Sequence, residues 1–315
     1  MMEPSELTMV FGSDSDEKKI LPGIIRATKE IKGLKVRVHY ASADNTPEKV
    51  DKVLYIPDEE PVPVITGAGM SNVLTGVAKV KATLYDLVIG VPITDSATGG
   101  LSSLLSTSEK PPLNPVLMVP LDNTYAAAQI AVRYINKRYG GVVVADNSAC
   151  LSNPVSADSI ADMEKQLTKL GIDCQVYTPA DINPDDIVIT VFSHHNLIDK
   201  NYYEGTQAMN AIDRRLRAGR GIQIGVREKA EVKRWDAYMN CLQDLEVTGI
   251  VGIGRYENAA MVAAQIIGHG AALKSIDDAK YRKDPANPEN DGKCVKLERH
   301  KGFTVEEGEV HREAA

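Results

Sequence analysis

At 315 residues the chain is long enough for two domains that each bury a core. Its formal net charge of −7 and pI near 5.5 argue against nucleic acid as a main partner. No apolar run approaches the roughly 18 residues that a membrane span needs. No basic segment followed by an apolar run opens the chain, so the expected location is cytoplasmic. Cys150, Cys174, Cys241 and Cys294 are scattered without a C-x-x-C pair and read as reduced thiols rather than a zinc site.

In chain order, three apolar residues, 9–11, run into Gly12-Ser-Asp-Ser-Asp16, which opens a helix. A strand ending this way turns backbone N–H groups and two hydroxyls towards one spot at a helix N-terminus, where anions gather. The same residues are also ordinary N-caps. Next come an alternating strand at 36–40 running into Ser42-Ala-Asp-Asn-Thr-Pro47, and an apolar strand ending in Gly67-Ala-Gly-Met-Ser-Asn72. Two further strands, around Leu87–Pro92 and Pro115–Pro120, are each followed by a helical stretch. Five apolar strands alternating with helices, with polar glycine-rich turns after the strands, predict a doubly wound α/β domain with a parallel, Rossmann- or flavodoxin-like sheet between two helix layers.

The ordered set of turns resembles the PurE family of aminoimidazole ribonucleotide carboxylases and mutases of purine biosynthesis. The matching pieces are Gly12–Asp16, Ser42–Pro47, Gly67-Ala-Gly69, Ile89-Gly-Val-Pro92, Leu101–Ser106 and Ala127-Ala-Gln-Ile130. The resemblance implies that no cofactor or metal is needed. The substrates would be a small ribonucleotide and CO2, with sites at subunit contacts of a homo-oligomer. By this resemblance Asp16 accepts ribose hydroxyls, while Ser13, Ser15 and Ser42 hold the phosphate. Gly12, Gly67, Ala68 and Gly69 let backbone approach the ring, and Asn45, Ser71 and Asn72 complete the binding set. Two departures matter. Where the family carries a histidine followed by a basic residue, this chain has Asp44 and Asn45. Val73 stands where one branch has a further histidine.

A fainter copy follows, predicting domains at 1–138 and 139–270 and a charged extension at 271–315. Ile224-Gly-Val226 follows Ile89-Gly-Val91 by 135 positions, and Glu257-Asn258 follows Asp122-Asn123 by the same interval. The stretch 254–260 resembles a late helix of archaeal family members. The copy lacks the Gly-Ser-x-Ser-Asp turn, yet its strand at 187–192 runs into Ser193-His-His-Asn196. Two proton carriers are therefore candidates. Asp44 would serve if burial raised its carboxyl. His194 or His195 would serve if the second copy completed a composite site. Arg214, Arg215, Arg217 and Arg220 read as a solvated helix face or as an anion site. Three functions stay open: PurE-type chemistry, a related carboxylase on another nucleotide, and a ribonucleotide-binding or scaffold subunit. A tandem chain implies tetramers where single-copy relatives form octamers.

Overall fold

In the computed structural model, residues 6–54, 61–112, 114–136, 139–147, 155–192, 202–229, 239–240, 242–270, 273–274 and 302–312 are described. They form one twelve-stranded sheet. The first five strands are β1 (Glu6–Phe11), β2 (Lys35–Tyr40), β3 (Pro63–Ala68), β4 (Leu87–Pro92) and β5 (Leu117–Met118). They pair in parallel in the order β2-β1-β3-β4-β5. The next five are β6 (Val142–Ala145), β7 (Cys174–Tyr177), β8 (Ile187–Phe192), β9 (Ile222–Arg227) and β10 (Gly249–Val251). They are also parallel and repeat that order as β7-β6-β8-β9-β10.

The two blocks meet through β5 and β10, which run antiparallel with Met118 opposite Ile250. All strands of one block therefore oppose those of the other, and their carboxyl ends lie on opposite edges of the sheet. The join is close. A Cβ on Gly249 would lie 2.3 Å from Leu117 Cγ.

Among the described residues, eight α-helices cover the two faces. Helices α1 (Glu17–Glu30), α5 (Thr124–Ile135), α6 (Ala157–Lys169) and α8 (Tyr256–Ile267) bury their apolar residues in one large cluster with the sheet. On the opposite face lie α2 (Pro47–Val53), α3 (Val73–Lys81), α4 (Leu101–Ser108) and α7 (Tyr202–Leu216). The expected layering thus holds for one continuous mixed sheet. Helices α5 and α8 flank the join and are alanine-rich, which lets their backbones approach the strands from positions with almost no solvent contact. Gly23 serves the same end in α1, where any Cβ would strike Thr124 of α5.

The interval between corresponding elements is not constant. Strands β4 and β9 are 135 positions apart, whereas β5 and β10, like α5 and α8, are 132 apart. Asn123 caps α5, but the cap of α8 is Arg255 and Asn258 lies inside the helix. Equating Asn123 with Asn258 is therefore corrected by three residues.

Among the described residues of the charged extension is a hairpin. Strands β11 (Gly302–Glu306) and β12 (Glu309–Arg312) form a hairpin that adds antiparallel to β2. Phe303 and Val305 are buried in the main cluster against α1. This tail segment packs on its own chain.

Candidate active site

The first block changes direction between β1 and β3, the place where ligands bind in open α/β sheets. Gly12 N–H donates to Gly67 O at 2.9 Å, and Ala41 N–H donates to Phe11 O at 2.8 Å, so three strand ends converge. Glycine is required here. A Cβ on Gly67 would sit 2.4 Å from Val91 O and 2.8 Å from Phe11, and one on Gly12 would sit 3.0 Å from Ala68 Cβ.

After Gly12 the chain makes a single 3-10 turn, Asp14–Asp16, and enters α1. Ser13 caps the turn by accepting from Ser15 N–H at 3.1 Å, and the two hydroxyls touch at 2.7 Å. Ser15 is exposed and Ser13 partly so, which leaves both hydroxyls within reach of a ligand. Asp16 is 7% exposed. Burial pushes its carboxyl above the ordinary aspartate value, Lys19 pulls it back, and Asp122 and Asp14 push it further up.

Three residues that the sequence reading did not select complete this cluster. Lys19 stands 3.9 Å from Asp16 and donates to Thr94 O. Thr94 donates to Asp122 through its N–H (2.9 Å) and its hydroxyl (2.7 Å). Asp122 adopts a left-handed backbone with φ of 57°. The ends of β1, β4 and β5 are thereby tied by charge and hydrogen bonds. The available signal was an aspartate directly after an apolar strand, at a position where a turn requires positive φ.

The remaining expected residues divide. Ser42 Oγ accepts from Asn45 N–H at 3.1 Å, and Thr46 Oγ1 accepts from Ser42 N–H at 3.0 Å, closing a turn that leads into α2. Asp44 and Asn45 at its tip are exposed, so a single chain does not supply the desolvation expected for Asp44. The glycine loop continues through Met70, which is exposed with φ of 53°.

Asn72 is fully buried. Its side-chain oxygen accepts from Thr75 N–H at 3.3 Å, and its amide donates to Thr107 Oγ1 at 2.9 Å. It is the cap of α3. Ser71 lies in an open groove of about 780 Å³ between α3 and the segment after α4, also lined by Lys79 and Lys110. Burial pushes the Lys110 ammonium below its ordinary value.

His194 and His195 lie outside the described residues. Strand β8, however, ends at Phe192 on the sheet edge opposite to Gly12.

The arginine run is tied up within the fold. Arg217 pairs with Asp213 at 2.7 Å and with Glu246. Arg215 donates to Ile182 O at 2.5 Å, and Arg220 donates to Asn136 O at 2.9 Å. Arg214 is exposed and lies 3.9 Å from Glu246.

Comparison with known proteins adds to this geometry. The AIR carboxylase family model matches residues 6–149, the whole first block with its strand-end cluster. The N5-carboxyaminoimidazole ribonucleotide mutase of Pyrococcus abyssi is 36% identical over 134 residues, covering 42% of this chain and 74% of that protein. The protein of the same name from Methanocaldococcus jannaschii is 33% identical over 129 residues, covering 41% and 78%. The phosphoribosylaminoimidazole carboxylase of Saccharomyces cerevisiae is 32% identical over 130 residues, covering 40% of this chain and 22% of that protein. With a shared sequence spanning three quarters of a mutase, and the glycine contact and serine turn in place at the β1–β3 junction, the chain belongs to the PurE family of AIR carboxylases.

Proposed function

We propose that the first block binds an aminoimidazole ribonucleotide and moves or adds a carboxylate on its ring, as the names of its relatives describe. The observation that carries this reading is the β1–β3 junction. Its strands close side-chain-free at Gly12 and Gly67, and the partly accessible Ala68–Gly69 loop beside them is flanked by the Ser13–Ser15 turn and the buried Asp16. The phosphate would sit on the serine turn at the start of α1. Asp16, held by Lys19, would orient the ribose, and the glycines would admit the flat ring.

Transfer of a carboxylate to a ring carbon requires a proton to leave that carbon, and Asp44 occupies the place of the proton carrier. In this reading the surface of a second chain closes over Asp44 and shields it from water beside the ring. A homo-oligomer is therefore part of the proposal, with tetramers as the expected size.

The second block is proposed to be a tandem copy of the first. The repeated strand order and the facing of Met118 by Ile250, which occupy corresponding positions, support this reading. Its role is proposed to be architectural. The exposure of Asp44 favours one alternative, a subunit that binds the ribonucleotide without turning it over.

Ultraviolet-monitored decarboxylation of carboxyaminoimidazole ribonucleotide by the full chain tests these readings, with Ser13→Ala and Asp44→Asn variants alongside. Turnover that falls in both variants supports the enzyme reading. Binding without turnover selects the alternative, and the absence of both rejects the site.

A further inference from the structure

We propose that Arg312, in the C-terminal hairpin, is a positioning and charge-compensating residue of the Ser13–Asp16 turn, so that the far end of the chain sets the affinity of the first block for a phosphate-bearing ligand. The inference rests on the function proposed above. Glu17 directly follows the turn and is the first residue of α1. Its carboxylate suits the helix dipole, but it repels any phosphate held on the same turn. Arg312 removes that conflict. Its Nη1 donates to Glu17 Oε2 at 3.1 Å and its Nη2 donates to Oε1, a two-pronged pairing that fixes the carboxylate as well as neutralising it. Tyr40, the last residue of β2, donates to Glu17 Oε2 at 3.2 Å.

The hairpin holds this cation in register. Strand β11 is antiparallel to β2 and β12 is antiparallel to β11, so β12 runs parallel to β2 and carries Arg312 towards the edge where β1 and β2 end. Phe303 is buried 6.3 Å from the Tyr40 ring, and the Arg312 guanidinium lies 6.0 Å from the Phe303 ring. Gly308 N–H donates to Thr28 Oγ1 at 3.1 Å, and Glu306 pairs with Lys35 at 3.2 Å. The hairpin is thus anchored along α1 and β2 independently of Arg312. Arg312 also holds the Glu17 carboxyl below its ordinary value, as a compensating cation should. Among the described residues the corresponding edge of the second block, β7, carries no such hairpin.

Steady-state kinetics of the full chain with carboxyaminoimidazole ribonucleotide, and calorimetric binding of inorganic phosphate, test the inference. Arg312→Ala should raise KM and the phosphate Kd by about threefold to fivefold, with kcat nearly unchanged. Adding Glu17→Gln should restore both constants to near wild type, because the repelling charge is gone, and Arg312→Lys should recover part of the loss. Unchanged constants in Arg312→Ala would overturn the inference. So would a loss that persists in the double variant, since that is the behaviour of a purely structural hairpin. If the wild-type chain shows no turnover, the proposed function fails while the phosphate arm still decides. Absence of phosphate binding in the wild type also overturns the inference.

Discussion

The two blocks share a strand order and differ at their strand ends. In the first, the ends of β1, β3, β4 and β5 carry glycines, a serine turn and the Asp16–Lys19–Thr94–Asp122 cluster. In the second, the position of Pro92 in β4 is taken by Arg227 in β9, which is fully buried. A polar chain also runs through the second block, where Gln223 donates to Thr190 at 2.9 Å and accepts from Thr248 at 3.0 Å. The difference separates two demands on the sequence. Alternating apolar strands and helices specify the sheet, and both blocks keep them. The turns specify chemistry, and only the first block keeps the Gly-Ser-x-Ser-Asp pattern.

The comparison breaks most severely at Asp213. This fully buried carboxylate of α7 pairs with Arg217 at 2.7 Å and lies 3.8 Å from buried Arg133 of α5, which itself donates to Gly221 O. Burial pushes the carboxyl up, and the two arginines pull it down. Asp213→Ala leaves Arg133 buried without its anion and should cost about 3–5 kcal/mol in urea denaturation, while the Ser13 turn, which belongs to the other block, stays intact.

Asp16→Asn should do the reverse. It should lower kcat/KM by about 100-fold through misplacement of the ribonucleotide. Stability at pH 7 should hold or rise, because a carboxylate whose charged form is disfavoured by burial is replaced by a neutral isostere. A third variant, Gly249→Ala, drives a methyl into Leu117 at the join and should cost about 1–3 kcal/mol, lowering the melting temperature of both blocks together.

The smallest effect concerns pH. Arg312 holds Glu17 below its ordinary value of 4.5, so the contribution of this pair is present above that value and is lost as pH falls through the lower folded value. Arg312→Ala should flatten that part of the acid limb in a thermal-melt series. An unchanged limb would detach the hairpin from Glu17.

Much of this was legible in the sequence, for identifiable reasons. Strands of four to six apolar residues, punctuated by glycine and serine turns, gave the parallel blocks and the helix layers. The antiparallel join was not legible. β5 and β10 are two and three residues long, and nothing in so short a pattern distinguishes parallel from antiparallel pairing. The C-terminal hairpin did leave a signal. Phe303 and Val305 alternate with polar residues ahead of Glu307-Gly308, a two-residue turn in which both φ values are positive, at 50° and 85°. The charge of the surrounding tail obscured it. At the site, Gly12, Ser13, Ser15 and Asp16 come together, whereas Asn72 is consumed as a cap. The exposure of Asp44 depends on what else covers its turn, which no single-chain pattern encodes.

The central claim is that the first block, and not the second, holds the ribonucleotide. A structure of the full chain determined with carboxyaminoimidazole ribonucleotide tests this most directly. The phosphate is expected on the Ser13–Ser15 turn, with the ribose against Asp16 and the ring over Gly67–Gly69. A ligand seated instead at the carboxyl ends of β8 and β9, beside Arg227, would contradict the claim.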